Sequence, residues 1–396
     1  MATPKVLSDG DIIAKVAQKS HEAVGWYDSK ISKERMRVLE YYNGTLPRRQ
    51  HPGSSSFVST DVYDAVEMLK AQLLEVFGGG DEIATFDPDQ TMTTDDCKAA
   101  TAYARYVIFE QNEGFRLFND VIHDGLTARV GVVKVYWDEE YDEVDEEFED
   151  LSQIEAMALA SQPDVEEFDA EQAEDGTFKG RLMRKVDRCQ VRIVNMAPEE
   201  FLIEPRAICM ARAGYVAHRT LKTKAELLKM GLDKNKVALV HYDDARGLDL
   251  APEVLARNSQ VETLQSMNNP IQPEVEQVML YEEYVRMQIE KGKGVRLYKI
   301  LRVDSVLFEY QEVDKAPFID YVPLPIPHLF YGNNFAARVI PYQNAQTVLA
   351  RAVLDHAAVT TNPRWLVIKG ALTNPREMLD NRLGGIVNSN RPDGVS

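Results

Sequence analysis

The sequence predicts an α+β fold that is mostly helical, and three observations carry the prediction. Apolar side chains recur at the three-and-four spacing of amphipathic helices over residues 9–44, 61–77 and 94–128. Runs of strand character, Val130–Trp137 and Val278–Ile289, follow them. A further helical run, Asn334–Thr361, would be roughly 42 Å long at about 1.5 Å per residue.

Residues 9–44 read as one or two helices, with Ile12, Ile13, Val16, Val24, Ile31, Met36 and Leu39 as the apolar positions. They stop at Asn43-Gly44, a helix end followed shortly by Pro47. Arg48–Ser56 is a polar, turn-rich loop. The helix from Asp61 to Phe77 uses Val62, Val66, Leu69, Leu73 and Val76 and ends in Gly78-Gly79-Gly80. That triple glycine lacks the Lys-Ser/Thr of a phosphate loop, so it reads as helix termination and a flexible joint. Helical spacing returns from Thr94 to Ala128, broken near Gly114, and feeds the strand Val130–Trp137.

Asp138–Gly176 then holds eighteen Asp and Glu and no Lys or Arg. So charged a segment buries little, and a solvated, partly disordered loop is expected. Strand character resumes at Gln190–Val194, so the acidic segment reads as an insertion between two strands of one sheet. Residues 221–231 suggest a short helix with Gly231 as its C-cap, and Glu253–Met267 a weaker one. Val278–Ile289, the turn Glu290–Gly294 and a return strand from Val295 have the pattern of a hairpin. Pro317, Pro323, Pro325 and Pro327 predict a stiff strap rather than a sheet, since proline fixes φ and donates no hydrogen bond.

In the long helix Phe335, Val339, Tyr342, Ala345, Leu349 and Val353 form the main apolar stripe. Ala337, Ile340, Val348, Ala352, Leu354, Ala357 and Ala358 carry apolar character onto the flanks, and the only full charges are Arg338, Arg351 and Asp355. A helix apolar nearly all round is buried on most sides. It is either the central helix of a large core or a helix packed against copies of itself.

The formal charge is −18, but taking the eighteen acids of the insertion from the 63 in the chain leaves 45, which 45 Lys and Arg balance. Binding of nucleic acid by a generally basic surface is unsupported, whereas a conduit through which DNA slides is compatible. Cys97, Cys189 and Cys209 lie far apart with no CxxC, which argues for reduced thiols in a cytoplasmic-type compartment. The charged, helical first forty residues do not have the form of a signal peptide. No run of eighteen apolar residues predicts a membrane span.

Catalytic motifs are sought without result: the sequence has no GxSxG, HExxH, Walker or GxGxxG pattern. Asp355-His356 and His123-Asp124 are neighbours in sequence, and adjacent residues on a helix point to different faces. His241-Tyr242-Asp243-Asp244 is the one patch to consider for a metal, and it reads as an ordinary polar loop.

Several motifs stand in a telling order: Tyr41-Tyr42-Asn43-Gly44, Ser59-Thr60-Asp61-Val62, GVVKVYW at Gly131–Trp137 and APEEFLIEP at Ala197–Pro205. PHLFYGN opens the long helix at Pro327, Asn362-Pro363-Arg364 closes it before an apolar strand at Trp365–Ile368, and Gly384-Gly385-Ile386-Val387 comes last. Together they resemble the portal proteins of short-tailed, podovirus-type bacteriophages with double-stranded DNA.

The resemblance implies a ring, usually of twelve subunits, at one capsid vertex of the virion, assembled in the host cytoplasm. Its implied partners are copies of itself, the terminase large subunit, scaffold and coat proteins, tail adaptors, and double-stranded DNA passing without sequence specificity. It implies no catalysis, no cofactor, no metal and no membrane. By the same resemblance residues 1–210 form a wing of helices and strands with the acidic insertion at 138–176. Residues 211–269 form a connector or first stem segment, 270–330 a small α/β clip and 331–361 the stem helix. Residues 362–396 would return to the wing and stop before the C-terminal crown or barrel, leaving open a fragment or a natural truncation.

As stem helix, the run would place Phe335, Arg338, Gln343, Gln346, Leu349, Ala352 and Val353 at a subunit interface or channel. The clip hairpin would present Lys291, Lys293, Arg296 and Arg302 to the motor or to DNA. The family's hairpin turn is often acidic, and here it is basic. Another head–tail connector ring, or a phage enzyme with an unfamiliar site, are the alternatives at this point.

Overall fold

A computed structural model describes residues 7–49, 54–78, 84–88, 92–139, 141–172, 177–240, 277–289 and 294–361, together with 374 and 390. These fall into two compact units. One draws on Met1–Arg35 and Met68–Asn334, the other on Met36–Glu67 and Phe335–Ser396. As predicted, the fold is α+β.

The first unit opens with α1 (Asp9–Trp26), capped by Ser8 and Asp11, each side chain bonding the other residue's backbone N–H. A π-helical turn, Tyr27–Ser32, carries the helix into α2 (Lys33–Tyr42). Ile12, Val16, Ala23, Tyr27 and Ile31 repeat at four- or seven-residue intervals and are all buried. α3 spans Asp61–Gly78; its first turns, to Glu67, and α2 from Met36 onward belong to the second unit. The next helical stretch breaks where predicted: α4 (Thr94–Tyr106) and a π turn, Val107–Gln111, end before Glu113, whose φ is +49°, and α5 (Gly114–Ala128) follows.

Three antiparallel sheets follow. β1 (Gly131–Asp138) lies between β5 (Gln190–Met196) and β11 (Phe318–Tyr321). Asp138 pairs with Gln190 and Val132 with Met196, so the two strands flanking the acidic insertion are indeed neighbours. β11 corrects one expectation: the proline-rich strap contains a four-residue strand, Phe318–Tyr321, because its prolines sit at either side of that segment.

The second correction concerns the insertion, which is folded where a loose loop was expected. β2 (Tyr141–Leu151), α6 (Gln153–Ala160), β3 (Val165–Gln172) and β4 (Phe178–Asp187) form a sheet of order β2-β4-β3. Seven of the eleven residues of β2 are acidic, whereas β4 carries Lys179, Arg181, Arg184 and Lys185. The central basic strand offsets the repulsion that two acidic strands would otherwise suffer. Arg181 meets Glu147 at 3.1 Å, and Arg184 meets Glu146 at 3.5 Å and Asp164 at 2.6 Å. Phe148 and Phe168 stack, with ring centroids 5.1 Å apart, and Leu182 and Ala156 are buried. Gly180 leaves room for this: a Cβ there would stand 1.9 Å from the carbonyl oxygen of Asp169.

The largest sheet has the order β10-β9-β8-β7-β6. Its strands are β6 (Phe201–Ile203), β7 (Tyr215–Thr223), β8 (Gln277–Met287), β9 (Arg296–Val303) and β10 (Val306–Glu312). β8 and β9 pair antiparallel, as the hairpin pattern predicts. Between β7 and β8 the chain forms α7 (Lys224–Lys229) and α8 (Lys234–Ala238), with Gly231 at φ +78° after the first. The sheet joins residues 201–223 to 277–312, across the boundaries that the resemblance draws at 210 and 269.

The core forms between α1, the π turn and this sheet, with Phe201, Tyr215, Val285, Ile300, Phe330 and Tyr331 among its members. The PHLFYGN motif is part of it. Phe330 lies against Phe201, Tyr331 against Trp26, and the Phe330 N–H donates to Ala207. A Cβ on Gly332 would meet the Leu324 carbonyl oxygen at 2.5 Å, so only glycine fits.

The second unit contains α9 (Phe335–Thr361), 27 residues long, which continues past Pro341. The Glu253–Met267 helix, the turn at 290–293, the Asn362-Pro363-Arg364 motif, the Trp365–Ile368 strand and the Gly384–Val387 motif lie outside the described residues.

Candidate self-association surface and hairpin

In the second unit α9 is built from two unlike faces. On one, Ala336, Ile340, Gln343 and Thr347 are buried. Polar side chains continue this row at every fourth residue. Gln343 donates to the carbonyls of Tyr41 and Leu46 and accepts from the Val62 N–H at 2.9 Å. Thr347 accepts from the Ser59 N–H at 3.1 Å. Arg351 donates to the carbonyls of Pro47, Arg48 and Phe57, and Asp355 accepts from the Ser55 N–H at 2.5 Å. Residues four apart stand one above another on a helix, so these four side chains clasp the loop segments on either side of residues 50–53 along one edge. Tyr41 adds a bond from its hydroxyl to Asn344.

The other face is exposed and largely apolar: Tyr342 is 73% exposed, Leu349 68% and Val353 69%, with Gln346, Ala352 and Arg338 beside them. At about 100° per residue these positions lie on the far side from the middle of the row that runs through Ala336, Ile340, Thr347 and Arg351. Phe335, at the start, is half-buried. The helix is therefore covered on one side rather than on most sides, which corrects the expectation of burial nearly all round. Gln343, expected at an interface or channel, is wholly buried inside its own unit, since all its polar atoms are used there.

Of the four hairpin cations, Lys291 and Lys293 lie outside the described residues. Arg296 is exposed at the start of β9 and meets Glu312 at 3.8 Å. Arg302 is not at a solvent-facing tip. Its guanidinium grips buried Glu283 through two bonds of 2.9 Å and stacks 4.7 Å from the Tyr281 ring. The Tyr215 hydroxyl donates to the same carboxylate. Burial and the carboxylate beside it push the Tyr215 phenol well above its usual range. Burial alone would lower the Arg302 guanidinium, but the bonds and charge of Glu283 outweigh it and raise it. A pair this dry fixes strand positions and offers nothing to a partner.

Sequence reasoning missed Glu283 and the clasp. Two signals point to them: adjacent Glu282 and Glu283 in the middle of an apolar strand, and polar residues spaced by four in an otherwise apolar helix. Among the described residues no group of His, Cys, Asp and Glu is placed to hold a metal ion, and His241 lies outside them. No described helix is long and apolar enough to cross a membrane.

A long helix with one clasped and one bare apolar face accords with the motif order in the sequence. The family model described as Phage SU10 portal protein matches residues 12–396. The chain belongs to the phage SU10 portal protein family. Portal proteins of this family are structural rather than enzymatic, and they belong to the capsid-associated, ring-forming, DNA-handling class. No curated protein matches the portal chain.

Proposed function

We propose that this portal chain assembles into a ring, of twelve copies as the resemblance implies, at one capsid vertex. The ring is the channel for genome packaging and ejection, works without catalysis, docks the terminase and later joins the tail adaptors. It is built in the host cytoplasm together with scaffold and coat proteins. DNA passes without sequence readout, in keeping with a formal charge of −18 that offers no generally basic surface. In this reading α9 is a stem helix and the β8–β9 hairpin belongs to the clip.

The observation that carries the reading is the bare face of α9, with Tyr342, Leu349 and Val353 each more than two-thirds exposed in the single chain. Apolar side chains in a row seek a partner surface, and in a ring the neighbouring copy supplies it. Negative-stain images of the purified protein test this and should show rings with a central hole. Ala352→Glu, which would bury an unpaired charge at a cost of several kcal/mol, should abolish the rings and leave helicity intact. Unchanged mass by light scattering in that variant would sink the assignment of this face to the interface.

A further inference from the structure

The folded insertion has an open edge. Within its sheet β4 is central, and among the described residues no strand pairs with the outer side of β2. An unpaired strand edge presents a row of backbone donors and acceptors that a further strand can complete. Charge decides which strand it accepts. Asp145, Glu146, Glu147 and Glu149 are exposed on β2, so a second copy of β2 would set carboxylates opposite carboxylates. The sheet itself shows what β2 does accept. Its one partner strand is basic, and Glu147, Arg181 and Asp169 stand in a single row across the three strands. A strand added outside β2 with a cation opposite Glu147 would extend the acid–base alternation by one.

We propose that the outer edge of β2 is a docking site for an extended, Lys/Arg-bearing segment of another protein, which adds as a fourth strand. The site reads a cation opposite Glu147 and a small residue opposite Phe148, as β4 supplies with Arg181 and Gly180 on the inner side. Its intrachain template is β4, FKGRLMRKVD.

A labelled synthetic peptide of that sequence, titrated into the full-length protein by fluorescence anisotropy, is the probe. The control peptide has the same composition with its four cations gathered at one end. The β4 peptide should bind at least tenfold more tightly than the control. The double variant Asp145→Asn, Glu147→Gln should weaken it at least fivefold. Hydrogen exchange should show new protection at residues 144–149 while residues 178–187 keep theirs. Equal binding of both peptides would reduce the edge to a diffuse negative field, and no binding would end the proposal. Lost protection in residues 178–187 would mean that the peptide replaces β4, which also overturns edge addition. Self-association strengthened by the neutral double variant would assign the edge to a second copy instead.

Discussion

Gln343 caps another helix: its side-chain carbonyl accepts the N–H of Val62, the second residue of α3, at 2.9 Å. The N–H groups of a helix's first turn have no partner within the helix. One buried amide therefore closes α3 and holds the Tyr41 and Leu46 carbonyls at the same time. Gln343→Leu keeps the volume and strands all three backbone groups. A buried group left without a partner costs about 1–3 kcal/mol, so a loss of about 3 kcal/mol or more is expected in chemical denaturation. A loss below about 0.5 kcal/mol would show that the clasp contributes little to the second unit.

The insertion should be removable, but only at its true boundaries. Asp138 and Gln190 are direct partners across β1 and β5, so residues 139–189 can be replaced by an Asn-Gly turn suited to a two-residue hairpin. That variant should keep a cooperative thermal transition near the parent's. Deleting only 138–176 leaves β4 without either acidic neighbour and should aggregate or express poorly. Equal behaviour of the two deletions would contradict the pairing of β4 with β2 and β3.

Removing one half of the Arg302–Glu283 pair should cost far more than removing both. Arg302→Met leaves a wholly buried carboxylate unpaired, at about 3–5 kcal/mol. The double variant Arg302→Met, Glu283→Leu should recover most of that loss. A double-mutant cycle by urea denaturation checks this, and additive losses would exclude the coupling.

With Arg302 set aside as structural, the basic hairpin reduces to Lys291, Lys293 and Arg296. Exposed pairs contribute only about 0–1 kcal/mol each, so single changes should do little. Changing all three to Glu should leave rings and procapsids normal and impair DNA packaging, most severely at low salt where screening is weakest. Parental packaging by the triple variant at every ionic strength would reduce the turn to surface decoration.

Glu282 should contribute to acid sensitivity. Burial raises its carboxyl, but the Lys134 charge and hydrogen bonds from Lys134 and Tyr284 outweigh burial and hold it below the usual range. A carboxylate lowered by folding stabilises the protein above its unfolded value of about 4.3 and loses that contribution as pH falls through the folded value. Glu282→Gln should therefore be less stable at pH 7 and show a shallower loss of stability below about pH 4.3 than the parent. Parallel acid slopes would remove Glu282 from the account.

Local order was legible in the sequence. Apolar spacing located the helices to within a few residues, glycine and asparagine marked their ends, and the resumption of strand character at Gln190 revealed an insertion between paired strands. These features depend on contacts a few residues apart, or on alternation that any strand with a buried face must show. Tertiary structure decided the rest. The acidic segment folds because its basic partner strand begins at Phe178, just past the charge run, and strand pairing is not written in the composition of either strand alone. Arg302 is buried because register brings it beside Tyr281 and near Glu283, which no reading of its own strand shows. The long helix is apolar nearly all round, so its sequence left open which face is covered. The loop clasped by Gln343, Thr347, Arg351 and Asp355 settles that face, because buried backbone groups must find polar partners and these four side chains supply them.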